Sequence, residues 1–247
     1  MTKLRILCLH GLAQNKINFG RKTKAITQRV DNFTEFVHVT APHFILTPEY
    51  ATISQREESN NIIRTDETKP YCWWYPLRYK KLLSDGTSPG FAESLAYIKQ
   101  ILLEQGPFDG ILGFSQGGCM AAILTQLLEN RTIFPHWIEP EFQHPPLKFS
   151  IFVSAFIPHQ QEAFKPLFMQ QKKNKSPTLH IIGELDTVVL PESSVNLSFC
   201  FQDPVLFKHP GGHFVPSSEL AQKKLESFLY PFKKVNDESV LAEEHKL

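Results

Sequence analysis

An α/β fold, with a mostly parallel central sheet of about six strands and helices on both faces, is what this sequence predicts. Three observations carry that prediction. Short runs rich in Ile, Val, Leu and Phe recur along the chain, each bounded by Gly, Pro or a polar turn. Several are continuously apolar instead of alternating, as expected for central strands buried on both faces. Helical patterns lie between them, and strand–helix alternation favours parallel strands joined by right-handed crossovers.

The first run, residues 4–9, leads into His10-Gly11, and the second covers 35–40. Residues 43–90 are polar and broken by Pro48, Pro70, Pro76 and Pro89, yet contain Trp73-Trp74-Tyr75. This stretch reads as an excursion over the sheet's edge. Phe91, Leu95, Ile98 and Leu102 then form a helical stripe, which Gln105-Gly106-Pro107 ends. The third run, 110–114, is followed by a helix over 116–130 and by a second Pro-broken excursion, 131–146. Runs at 148–154, 178–182 and 205–208 complete the strands, with helices over 190–201 and 217–230. The chain reads as one domain, 1–232, with a charged tail over 233–247.

A length of 247 residues suits a single α/β domain with a substantial core. The net charge of +1 supplies no general attraction to nucleic acid or an anionic membrane, so neither is expected as a partner. Cys8, Cys72, Cys119 and Cys200 form no C-x-x-C pair and read as free thiols. Only Ile6 to Leu9 is apolar near the start, too short for a signal-peptide core, and no run reaches membrane-spanning length. A cytoplasmic protein is expected. The closing tripeptide His245-Lys246-Leu247 resembles the peroxisomal S-K-L signal except at its first position, which makes peroxisomal import the alternative. No feature specifies an oligomeric state.

The chemistry concentrates at Leu112-Gly113-Phe114-Ser115-Gln116-Gly117-Gly118. Gly113-x-Ser115-x-Gly117 fits the nucleophile elbow, a strained strand-to-helix turn that demands small neighbours. The helix opening at Gln116 aims its unpaired N–H groups at the reacting oxygen. A serine hydroxyl needs a base, and that base needs an orienting group. His213, in His209-Pro210-Gly211-Gly212-His213, follows the last predicted strand on a loop that two glycines let bend, whereas His209 reads as structural. The acid is expected between serine and histidine in chain order. Gly183-Glu184-Leu185-Asp186 supplies it, Asp186 being favoured for its shorter side chain and Glu184 remaining its rival. Leu12 and Gln116 backbone N–H groups are the candidate oxyanion donors, with His10 bracing their loop. Trp73, Trp74 and Tyr75 are candidates to line an acyl groove, or to pack the excursion onto the sheet. H-E-x-x-H, P-loop and G-x-G-x-x-G patterns are absent, so no metal and no cofactor is expected.

LCLHGLAQN, TAPH, GPFDGILGFSQGG, PTLHIIGELD and HPGGHFVP together resemble the FSH family of small serine hydrolases, the ovarian-tumour-candidate-like esterases of the α/β-hydrolase superfamily. The resemblance runs from Leu4 to about Leu229. It implies an α/β-hydrolase fold, a triad of Ser115, Asp186 and His213, and hydrolysis of acyl-chain esters through an acyl-enzyme. Thioesters are alternative substrates, and a ligand-binding protein without turnover is the alternative of a different class.

Overall fold

The computed structural model describes residues 2–45, 68–77 and 80–233. The chain there runs β1 (Leu4–Leu9), α1 (Lys16–Thr27), β2 (Thr34–Val39), β3 (His43–Phe44), β4 (Tyr71–Cys72), α2 (Phe91–Gln105) and β5 (Gly110–Phe114). It continues through α3 (Gln116–Glu129), β6 (Phe149–Val153), α4 (Lys165–Phe168), β7 (Thr178–Gly183), α5 (Pro191–Ser198), β8 (Val205–His209) and α6 (Glu219–Leu229). Six strands pair in parallel in the order β2-β1-β5-β6-β7-β8.

Burial explains why the strands were readable. Every residue of β5, β6 and β7 is buried, whereas the edge strands β2 and β8 keep exposed positions. Side chains alternate between two cores. Leu7, Leu9, Ile111 and Phe152 join the core beneath α2 and α3, while Leu4, Ile6, Cys8, Ile151 and Val153 join that beneath α1 and α6. α3 is buried around almost its whole circumference, which sets it at the centre of one layer.

Helix α1 is an element that the hydrophobic pattern does not announce. Its buried positions are Phe19, Thr23, Ile26 and Thr27, so two threonines stand where apolar residues would mark the stripe. A capping box starts it: the Asn15 side chain accepts from the Ile17 and Asn18 N–H groups, and Asn18 reciprocates. The described part of 43–90 also does more than lie over an edge. β3 and β4 form an antiparallel pair, Tyr71 bridges to Gln14 beyond β1, and Trp73 and Trp74 enter the core of α2 and α3. No helix among the described residues is long and apolar enough to cross a membrane. His245-Lys246-Leu247 and the tail from 234 on lie outside the described residues.

The turn from β5 to α3 requires backbone to touch backbone. A Cβ on Gly117 would overlap the carbonyl oxygens of Leu9 and His10, and one on Gly113 would overlap the carbonyl of Gly117. Neither obstruction is a flexible side chain that can swing away. Gly117→Ala is therefore expected to lower stability by about 3 kcal/mol or more, at the upper end of overpacking costs. Urea denaturation checks this, and an unchanged midpoint would contradict it.

Candidate active site

Ser115 follows β5 directly, with φ 53° and ψ −119°, an unfavourable conformation for a residue with a Cβ. Its N–H donates to the Val153 carbonyl and its own carbonyl accepts from the Cys119 N–H, both at 2.9 Å. These bonds hold the strained turn and raise the side chain above the carboxyl end of the sheet.

The β7 and β8 loops bring the partners. The Glu184 N–H donates to the His209 carbonyl at 2.8 Å, and the Leu185 N–H to the Gly211 carbonyl at 3.0 Å. The two loops are thus latched by backbone, independent of the side chains they carry. His213 Nε2 lies 3.0 Å from Ser115 Oγ, and His213 Nδ1 lies 2.8 Å from Asp186 Oδ2. A carboxylate only accepts, so Nδ1 carries the proton and Nε2 is left to accept from the serine hydroxyl.

Asp186 is held from its other side as well. Its Oδ1 accepts the Val188 and Val189 N–H groups, each at 2.9 Å. Burial pushes its carboxyl up, but the bonds from His213, Val189 and Val188 outweigh that and hold it below the usual carboxylate range. Glu184, the rival acid, is exposed and engages this region through its backbone N–H. The geometry thus places Asp186, not Glu184, beside the imidazole.

His10 is buried and braces the loop after β1. Its Nε2 accepts the Ala41 N–H at 2.9 Å, which leaves Nδ1 to donate to the Gly11 carbonyl at 2.7 Å. Burial drives its pKa down to about 4 despite that bond, so the ring stays neutral. The Leu12 and Gln116 N–H groups have no acceptor among the described residues, and both residues border the cavity that also contains Ser115. His209 is buried, with Nδ1 accepting the Gly211 N–H, a structural placement.

A cavity of about 620 Å³ opens beside Ser115. Trp74, Leu77, Phe156, Ile157, Val188 and Val189 give it a mainly apolar wall. Of the three aromatic candidates only Trp74 belongs to it. Trp73 is fully buried, its indole N–H donating to the His10 carbonyl at 2.8 Å, and Tyr75 packs on the His43 ring. Trp73 is therefore a strut beneath the loop after β1, not a groove residue. The Gln116 side chain ties the same segment to the elbow, Oε1 accepting the Trp73 N–H and Nε2 donating to the Trp74 carbonyl. Motif reading missed residues 156–161, which carry no signature. Their one signal is position, since they follow the carboxyl end of β6. Among the described residues no cluster of three His, Cys, Asp or Glu has the geometry to hold a metal.

A family model described as "Serine hydrolase (FSH1)" matches residues 1–225. Esterase OVCA2 of Danio rerio is 31% identical over 236 residues, which span 93% of this chain and 97% of that protein. Arabidopsis thaliana SOBER1 superposes with a TM-score of 0.59 at 18% identity, covering 94% of this chain and all of that one. Zea mays acyl-protein thioesterase 2 gives 0.54 at 19% identity, over 93% of this chain and 95% of its own. The two plant structures establish the fold, that of the α/β-hydrolases.

Buried histidines make a pH test. Burial is the first cause that lowers the pKa of both rings from the ordinary histidine value of 6.5, to about 4 for His10 and to about 3 for His180. Below pH 6.5 the unfolded chain binds protons that the folded chain refuses, so stability present above 6.5 drains away as pH falls towards about 4. For His10 alone the lost stability is about 3 kcal/mol. His10→Gln is expected to flatten the fall in urea midpoint over that window. A slope equal to the wild type would contradict the assignment.

Proposed function

The chain belongs to the FSH1 family of serine hydrolases, and we propose that it cleaves acyl esters in two steps through an acyl group carried on Ser115. The row Ser115–His213–Asp186, at 3.0 and 2.8 Å, is the observation that carries this reading. Ser115 Oγ attacks the ester carbonyl as its proton passes to His213 Nε2. Asp186, ionised and fixed by two backbone N–H groups, stabilises the imidazolium that results. The Leu12 and Gln116 N–H groups receive the oxyanion, and each such donor contributes about 3 kcal/mol to the transition state. The imidazolium then protonates the departing alcohol. Water, deprotonated by the same Nε2, releases the acid and restores the serine.

The cavity's volume and apolar wall suit an acyl chain. The machinery serves a thioester equally, because the thiolate leaves from the same tetrahedral intermediate. Turnover of p-nitrophenyl esters over a range of acyl lengths, compared with acyl-CoA thioesters, ranks the two substrates.

A fluorophosphonate probe is expected to label the wild type strongly and Ser115→Ala not at all. A wild type that resists the probe would favour a ligand-binding protein without turnover. Asp186→Asn is expected to lower kcat/KM by roughly 10³–10⁴-fold, because the amide no longer fixes the required tautomer. Glu184→Gln is expected to stay within about twofold of wild type. A reversal of those two effects, read in the same ester assay, would move the orienting role to Glu184.

A further inference from the structure

We propose that Gln161 and Ser88 form a polar subsite in the wall of the acyl cavity, selecting acyl chains that carry a neutral acceptor oxygen, an oxo or hydroxyl group. The proposal rests on the ester-hydrolase reading of the Ser115 cavity. Both residues border that cavity, and both are more than nine-tenths buried, Gln161 at 4% exposure and Ser88 at 1%.

Their bonding leaves donors over. Gln161 Oε1 accepts the Ser88 backbone N–H at 2.9 Å. That N–H can only donate, so the oxygen of the amide is committed there and the NH₂ is the free end. No acceptor for this NH₂ exists among the described residues, and the buried Ser88 Oγ likewise has no partner there. Such groups are normally satisfied in a folded interior, and an unmade donor is costly. Neither takes part in the Ser115–His213–Asp186 row or in the oxyanion donors.

The pair is also rigid. The Gln161 N–H donates to the Pro158 carbonyl at 2.9 Å, and the Gln161 carbonyl accepts the Phe164 N–H at 3.0 Å. On the other side of the subsite, the Asp85 carboxylate accepts both the N–H and the hydroxyl of Thr87, the residue before Ser88. The Gln161 NH₂, backed by the buried Ser88 hydroxyl, in a wall that also presents Trp74, Leu77, Phe156 and Ile157, is complementary to an acceptor on the chain. A saturated chain would cover them without bonding. The lining contains no Lys or Arg among the described residues, and the amide and hydroxyl donors are themselves uncharged, which matches them to a neutral oxygen.

The test is a series of p-nitrophenyl esters of one chain length, the oxo group moved one carbon at a time, beside the parent ester. One position is expected to exceed the parent in kcat/KM by about tenfold. Gln161→Glu keeps an oxygen for the Ser88 N–H but replaces the donor by a charged acceptor, and should bring that ratio to one or below. Ser88→Ala removes the hydroxyl alone and should lower the ratio part of the way. Fluorophosphonate labelling of Ser115 verifies that each variant is folded, and Ser88→Ala carries the test if Gln161→Glu does not fold. No preference at any oxo position, or a preference that survives both substitutions, overturns the subsite while leaving ester hydrolysis standing. Failure of the wild type to turn over any ester in the series would instead sink the reading beneath it.

Discussion

The contact on which this site depends is backbone against backbone, where α3 leaves β5 and its first turn meets the end of β1. The Leu9 and His10 carbonyls occupy the space that a side chain at 117 would need. That approach brings the loop after β1 and the start of α3 together, so that the Leu12 and Gln116 N–H groups border one cavity. It also forces Ser115 to φ 53°, a strain of order 1–3 kcal/mol. Ala13 at φ 58° and Ser154 at φ 46° sit just past β1 and β6, the neighbours of β5 in the sheet. Three of the four non-glycine residues with positive φ among the described residues thus lie past the carboxyl ends of adjacent strands, the fourth, Asp203, lying before β8. Each of the three is held by its N–H, to the Tyr71, Val153 or Ile181 carbonyl, and the buried central strands beneath supply the rigidity.

Electrostatics divides the histidines by position. His10 and His180 are sealed in the interior and kept neutral, one as a brace and one as a core ring between Phe152 and Phe201. His213 is the ring set between a hydroxyl and a carboxylate, on a loop that keeps part of its side chain open to solvent. Asp186 is almost wholly buried yet ionised, because three N–H donors converge on its two oxygens. A carboxylate so fixed costs little further reorganisation when the imidazole becomes positive. On the proposed reading, chemistry and stability draw on different members of one residue type.

Legibility followed burial. β5, β6 and β7 read clearly because both their faces are covered, which leaves an unbroken apolar run in the sequence. Helix α1 did not, since Thr23 and Thr27 fill its buried face and the hydroxyls bond back to the helix carbonyls. The Ser115, His213 and Asp186 positions were legible because a strained turn and a bending loop need glycine, and glycine shows in a sequence. Trp73 and Trp74 are adjacent and chemically identical, yet one is a strut and the other a wall. Only the fold decides which ring faces which way. Gln161 and Ser88 carry no pattern at all, because a hydrogen bond across 73 residues leaves none.

The most direct test is a crystal structure of the protein phosphonylated on Ser115. The account predicts a phosphoryl oxygen within hydrogen-bond reach, about 3 Å, of both the Leu12 and the Gln116 N–H groups, with the His213–Asp186 contact intact. A phosphoryl oxygen pointing away from those two groups, or an adduct on another residue, would contradict it.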